Sequence, residues 1–424
     1  MENSHMTQSR RPLLHFYLAD HKRDGTSSLG IWNVSRCLLH AMAQAPDPGW
    51  DIVVSLHPDE RPLLSPPVLP PWIRLHDVRG PRLWLDHVWC PLWSWRKKVT
   101  AVFFPKGWMP AWMPRRIQSW VLLHDAMNDY YARVHPGYFP KRKTDYFRWL
   151  LWHSYRNADR VFVNSLFTAG ELERACGQTR DVQVLRLADP LPPPDRLLPR
   201  NERKGILILG STLPHKCTKQ ALDLLRRWRE HSGFSEPILV TGAPPTDSET
   251  PEGFLYLGRL SDAALSQTYA DVRALVDLSE MEGFGLPLRE AYARGAPVVY
   301  RDAHAFREAM GPAAPGSWDG RDDASFAKAL QEVLELGDAD IQRLSQTLQS
   351  DSTWDNAVKT FWEKASLPPP TPKRRPLLHY YMADCKWATT ATPGGYHFSV
   401  CLLRELMAAD DFGWDMIVSV KPGE

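Results

Sequence analysis

Two carboxylates set either side of a glycine loop are the groups in this chain whose types and spacing could do chemistry. They are Glu282 and Glu290, the ends of Glu282-Gly283-Phe284-Gly285-Leu286-Pro287-Leu288-Arg289-Glu290. Upstream, Ala274-Leu275-Val276 has the apolar character of a short buried strand. Leu286 to Arg294 has that of a helix with Pro287 in its first turn, where a missing N–H costs nothing. A strand, a glycine loop and a helix start aim free backbone N–H groups and the positive end of the helix dipole at whatever lies above the loop. Gly283 and Gly285 permit close approach of an anion. Glu282 falls on the loop and Glu290 two turns into the helix, and about 3.6 residues per turn returns it to the same side. Both acids can therefore face one ligand, and the loop suits a diphosphate or the hydroxyl face of a sugar.

The run continues as Ala291-Tyr292-Ala293-Arg294-Gly295-Ala296-Pro297-Val298-Val299. Over residues 282–299 it resembles the signature of the retaining glycosyltransferases of family 4, two glutamates separated by seven residues. The resemblance covers about residues 11–366. It implies the GT-B architecture, two Rossmann-like α/β domains facing across a cleft, and transfer of a sugar from a nucleotide diphosphate sugar, GDP- or UDP-linked. It implies no cofactor and no metal. In this picture Glu290 accepts hydrogen bonds from the ribose. Glu282 and the backbone N–H groups of Phe284, Gly285 and Leu286 position the sugar.

The elements that must hold this site follow the same plan. The 424 residues are enough for two or more cores, since one core stops growing near ~250–300 residues. With 43% hydrophobic and 24% charged residues the chain has an ordinary globular composition, and a net charge of +2 argues against a dedicated nucleic-acid binder. Six cysteines show no C-x-x-C pair, so a reducing cytoplasmic setting is expected. No run of ~18 apolar residues suggests a membrane span, and no signal peptide is visible.

Leu13 to Ala19, a polar loop, Ile31 to Ala45 and Trp50 to Leu56 spell strand, loop, helix, strand, the opening of a parallel sheet. The first domain is expected over residues 11–188, with Gly30 as the candidate near the donor phosphates or the acceptor. Trp120 to Asp125 is a strand ending in His124, and the resemblance makes His124 a contact to the donor sugar. Asp125 is a further candidate, or a cap of the next segment. Ser165, after the strand Arg160 to Val163, is a weaker candidate. Between Pro62 and Arg116, seven tryptophans alternate with Lys and Arg. Two accounts are open: a tryptophan core with a charged rim, or a platform for sugar rings and for the headgroups at the inner face of a membrane.

The proline-rich stretch 189–201 is a semi-rigid linker. Strands and helices alternate again from Gly205, so 202–350 is expected to be the second Rossmann-like domain, the nucleotide-sugar domain. The resemblance places the phosphate-binding cation at Lys216, in the loop after Gly210. Relatives carry arginine where this chain has Ser211 and His215, and His215 lacks the bidentate fork of a guanidinium.

Residues 351–366 resemble the family's closing helix, and 367–373 form a short linker. Arg374 to Glu424 then aligns without a gap with Arg10 to Glu60, including His379, Tyr381, Ala383, Asp384 and Gly394. This is expected to be the truncated start of a second glycosyltransferase module.

The function expected from the resemblance is a retaining hexosyltransferase acting on a glycan or lipid-linked acceptor in bacterial surface polysaccharide or lipopolysaccharide synthesis. The alternative is an inactive nucleotide- or glycan-binding module that scaffolds its partner, and a third is an epimerase of the same architecture.

Overall fold

The protein is described from a computed structural model, which covers residues 11–20, 29–244, 251–311, 314–350, 352–365, 377–381 and 415–419. Seven strands make the first sheet: β1 (Leu13–Leu18), β2 (Asp51–Leu56), β3 (Ile73–Asp77), β4 (Ala101–Phe104), β5 (Gln118–Leu123), β6 (Arg160–Val163) and β7 (Gln183–Val184). They pair in parallel in the order β3-β2-β1-β4-β5-β6-β7. Near-continuous apolar strands such as Ala101–Phe104, buried at every position, are what a sheet covered by helices on both faces requires. The order reverses between β1 and β4, so the carboxyl ends of these two strands flank the crevice where ligands of open α/β sheets bind.

The second sheet has the same logic. Its strands β8 (Ile206–Ile208), β9 (Ile238–Val240), β10 (Phe254–Tyr256), β11 (Ala274–Asp277), β12 (Val298–Arg301) and β13 (Ser317–Trp318) lie in the order β10-β9-β8-β11-β12-β13. Its switch point falls between β8 and β11. The loops that follow these two strands carry Lys216 and Glu282, respectively.

The helix Trp354–Ala365 leaves the second domain and packs on the first. Phe361 is fully buried there, with ring centroids 4.9 Å from Phe103, 5.2 Å from Phe162 and 5.7 Å from Trp120. Trp354 Nε1 also donates to the backbone oxygen of Asp189 at 3.1 Å, tying this helix to the start of the linker. The linker itself is held by Arg294, 2% exposed, whose guanidinium donates to Asp189 Oδ2 and to the backbone oxygens of Leu191 and Pro192.

Part of the tryptophan stretch is packed, as the core account expects. Trp89 and Trp93 stack on each other at 5.4 Å and on His76, and with Trp95 they pack against the first-domain core. Trp84 is exposed, as is Leu83 beside it. The helix read as Arg148 to Asn157 starts earlier, at Lys141, because Pro140 ends the extended segment before it and its carbonyl accepts from Lys143 N. No helix among the described residues is long and apolar enough to cross a membrane.

Most of the repeat lies outside the described residues, Ala383, Asp384 and Gly394 among them. Its two strands, β14 (Leu377–Tyr381) and β15 (Asp415–Ser419), pair in parallel with Leu377 opposite Asp415. This register equals that of Leu13 opposite Asp51 in β1 and β2.

Candidate active site

The wall formed by the second domain is built on the glycine loop. Gly285 caps the helix Leu286–Ala293 with φ of 76°, the left-handed region, and a Cβ there would stand 2.7 Å from the Phe306 ring. Glycine is needed for both reasons. Glu282 leaves the loop toward Lys216, and the carboxylate Oε1 is ion-paired with the ammonium. Burial acts to lower the Lys216 pKa, but Glu282, Asp277 and Glu290 outweigh it and raise the value above that of an ordinary lysine. Lys216 is thus ion-paired with Glu282, from the loop that follows the neighbouring strand. Glu290 is 8% exposed, and its Oε2 accepts from Tyr269 Oη at 3.3 Å. Burial, then the nearby Asp189, pushes its pKa up to about 8. Gly210, two residues after β8, donates its N–H to Thr241 Oγ1 at 2.9 Å, and any side chain there would overlap the Thr241 carbonyl.

The facing wall comes from the first domain. His124 follows β5, and its Nε2 lies 2.6 Å from the backbone oxygen of Pro105, which fixes the ring. Burial lowers its pKa to about 4, so the ring is neutral. A neutral Nε2–H donates to Pro105, leaving Nδ1 as an acceptor. Asp125 caps the following segment by accepting from Met127 N at 2.8 Å, and burial raises its pKa while Lys216 acts in the other direction. Gly30 opens the helix Leu29–Gln44, and a Cβ on it would be 3.8 Å from Leu286 Cδ1. Gly30 and Leu286 therefore meet across the cleft.

The two walls touch. The Gly283 carbonyl accepts from Ser165 Oγ and, at 3.0 Å, from Thr168 Oγ1, and a Cβ on Gly283 would overlap the backbone oxygen of His124. Phe284 reaches over to the first-domain core, with the Arg289 guanidinium 4.4 Å from its ring centroid. Glu308 accepts from Leu166 N and Phe167 N at 3.0 and 2.7 Å.

His215 turns away from the glycine loop. Its Nδ1 lies 2.6 Å from Tyr131 Oη of the first domain, and burial, then Lys216, lowers its pKa to about 4. Beside it, Tyr130 Oη donates to Glu280 Oε2 at 2.8 Å. The structure thus gathers Glu282, Glu290, Lys216 and Gly285 on one wall, sets His124 and Gly30 on the other, and makes His215 part of a clasp between them. Sequence inspection missed the clasp tyrosines, Thr168 and Arg294. Nothing local marks Tyr131, whereas Arg294 is a charge in a run of small apolar residues, a signal of a buried paired side chain.

A cavity of 510 Å³ opens elsewhere, beside the loop that carries Lys216, with Lys219, Arg227 and Arg321 opposing Asp223, Asp322 and Asp323. Glu282 and Glu290 do not line it.

Residues 245–347, the segment holding both glutamates, match the family model described as Glycosyl transferases group 1. The serotype-specific mannosyltransferase WbdA of Escherichia coli is 32% identical over 182 residues, 40% of this chain and 22% of that protein. O-antigen chain mannosyltransferase B of Escherichia coli is 26% identical over 245 residues, 53% of this chain and 64% of that one. The chain spans less than two thirds of the length of either. Among solved structures, sucrose-phosphate synthase from Thermosynechococcus elongatus superposes with a TM-score of 0.61 at 15% identity, covering 84% of this chain and 98% of that one. Anabaena HepE in complex with UDP and glucose gives 0.55 at 13% identity, covering 84% and 99%. The two facing parallel sheets are the GT-B glycosyltransferase fold, and the chain is similar, at modest identity, to bacterial O-antigen mannosyltransferases.

Proposed function

We propose that the protein is a retaining glycosyltransferase that moves a hexose, of which mannose is the first choice, from a nucleotide diphosphate sugar to a glycan or lipid-linked acceptor in bacterial surface polysaccharide synthesis. The observation that carries this is the Lys216 ammonium ion-paired with Glu282 across the switch point of the second sheet. The printed names of the relatives support the mannosyl choice.

Lys216, with the N–H groups at the start of the helix Leu286–Ala293, would take the charge of the diphosphate as it leaves, with no metal required. Glu290 would take the ribose hydroxyls, Glu282 the sugar, and His124 would approach the sugar from the opposite wall. In the transfer, the bond from the anomeric carbon to the diphosphate oxygen breaks. A bond from that carbon to the acceptor oxygen forms on the same face, and the acceptor proton passes to the departing oxygen. The site therefore needs no second carboxylate of glycosidase type.

One observation favours the scaffold alternative: His215 is committed to Tyr131, which leaves Lys216 as the cation facing Glu282 in this loop. A panel of GDP- and UDP-sugars, assayed for nucleotide release with wild type and Glu282→Ala, separates the two. Turnover lost in the variant supports the transferase. Nucleotide binding without turnover in the wild type supports the scaffold.

A further inference from the structure

Two consecutive tyrosines of the first domain reach both loops that carry Lys216 and Glu282. They stand on the helix Met127–Val134, which starts directly after His124, Asp125 and Ala126. Tyr131 Oη lies 2.6 Å from Nδ1 of His215, the neighbour of Lys216, and Tyr130 Oη donates at 2.8 Å to Glu280, close in the chain to Glu282. Tyr138 Oη donates to the backbone oxygen of Thr212 at 3.1 Å, so the loop after β8 is gripped twice. The two loops are also joined to each other, since Glu280 N donates to the His215 carbonyl at 2.7 Å.

The grip has an apolar centre. Met281, between Glu280 and Glu282, is 2% exposed and packs with Tyr130 and Tyr131, against which Met127, Phe139 and Phe167 also lie. A second-domain side chain next to Glu282 is therefore seated among first-domain rings. The helix that presents the tyrosines is itself fixed. Buried Asp129 accepts from Arg148 and from Arg174, each at 3.1 Å, and these belong to the helices Lys141–Asn157 and Leu166–Cys176. Side chains on a rigid, supported element hold a position more closely than side chains on a loop. His215 stands at a position that the resemblance gives to arginine. A guanidinium has no acceptor for the Tyr131 hydroxyl, and it would bring a charge to a contact 4% exposed at His215 and 2% exposed at Tyr131.

We infer that the helix Met127–Val134 is the latch of domain closure, with Tyr130 and Tyr131 as positioning residues that set Glu282 and Lys216 against the His124 wall, and that the histidine at 215 serves this latch rather than the phosphate. The inference rests on the proposed sugar transfer for its effect on rate, whereas the latch itself is read without turnover.

The test compares the full chain with Tyr131→Phe, His215→Arg, His215→Gln, the double variant Tyr131→Phe/His215→Arg, and Tyr130→Phe, which serves should the His215 variants fail to fold. Hydrogen exchange over residues 279–283 reads the latch, GDP and UDP calorimetry reads the donor site, and nucleotide release over the panel of GDP- and UDP-sugars reads transfer. Exchange should be faster in Tyr131→Phe, His215→Arg and Tyr130→Phe, since local opening costs less once the latch is cut. Turnover should fall about 3- to 10-fold in Tyr131→Phe, the value of one hydrogen bond, with nucleotide affinity kept. The double variant should be no slower than His215→Arg alone, because both changes cut the same contact. His215→Gln keeps an acceptor and should retain more turnover than His215→Arg. Transfer in His215→Arg as fast as in wild type or faster assigns position 215 to the phosphate and overturns the latch. Additive losses in the double variant, unchanged exchange in Tyr131→Phe, or a loss of nucleotide affinity equal to its loss of turnover also overturn it. Faster exchange in the variants with no turnover in the wild type on any donor supports the latch and removes the transferase.

Discussion

Lys216 and Glu282 hold each other across the switch point of the second sheet, one side chain from the loop after β8 and the other from the loop after β11. A diphosphate seated there must share the ammonium with Glu282. Lys216→Ala should weaken nucleoside diphosphate binding by about 10- to 100-fold, the value of a hydrogen bond to a charged group. Lys97→Ala, at an exposed position, should leave it unchanged. Glu282→Gln should bind nucleotide as tightly as wild type or more so while losing transfer. Calorimetry and a nucleotide-release assay check all three, and equal losses at Lys216 and Lys97 would remove the phosphate site.

Closure depends on Gly283. A methyl group there would overlap the His124 carbonyl, so Gly283→Ala should keep nucleotide binding, which needs the second domain, yet lower transfer about 100-fold through misplacement of the two walls. Small-angle scattering should show a larger radius of gyration. An unchanged rate and radius would mean that this contact is dispensable.

Glu290 should make stability fall with pH. Its folded pKa of about 8 lies above the ordinary 4.5, so between these values the folded chain holds a proton that the unfolded chain has lost. Stability from this group is complete below about pH 4.5 and lost progressively toward pH 8. Glu290→Gln should flatten that slope in urea melts taken across the range. The same slope in the variant would assign it to another group.

Phe361 joins the last described helix of the second domain to the first-domain core. Phe361→Ala should cost about 3–5 kcal/mol of stability, as expected for a large buried ring, seen as a shifted denaturant midpoint. A loss under 1 kcal/mol, roughly a surface value, would show that the helix is not held by this ring.

Much of the architecture is visible in the sequence because its signals are local. The strand, loop and helix around Glu282 follow from apolar runs, two glycines and a proline within a few residues. The helices Leu166–Cys176 and Asp262–Asp271 begin at Ser165 and Ser261, whose hydroxyls accept from Thr168 N and Ala264 N as capping requires. The tryptophan stretch was ambiguous for a physical reason: an indole suits a core and an interface equally well, and spacing alone does not say which way Trp84 or Trp93 points.

By itself, the sequence determined the two rounds of strand and helix, the glycine loop between two glutamates, and the duplicated opening segment, since each depends on residues close along the chain. The tertiary structure alone decided that Lys216 pairs with Glu282, that His215 is taken by Tyr131, and that Glu280 is taken by Tyr130. Those partners lie far apart in sequence, and only the order of the strands and the closing of one domain on the other bring them within reach.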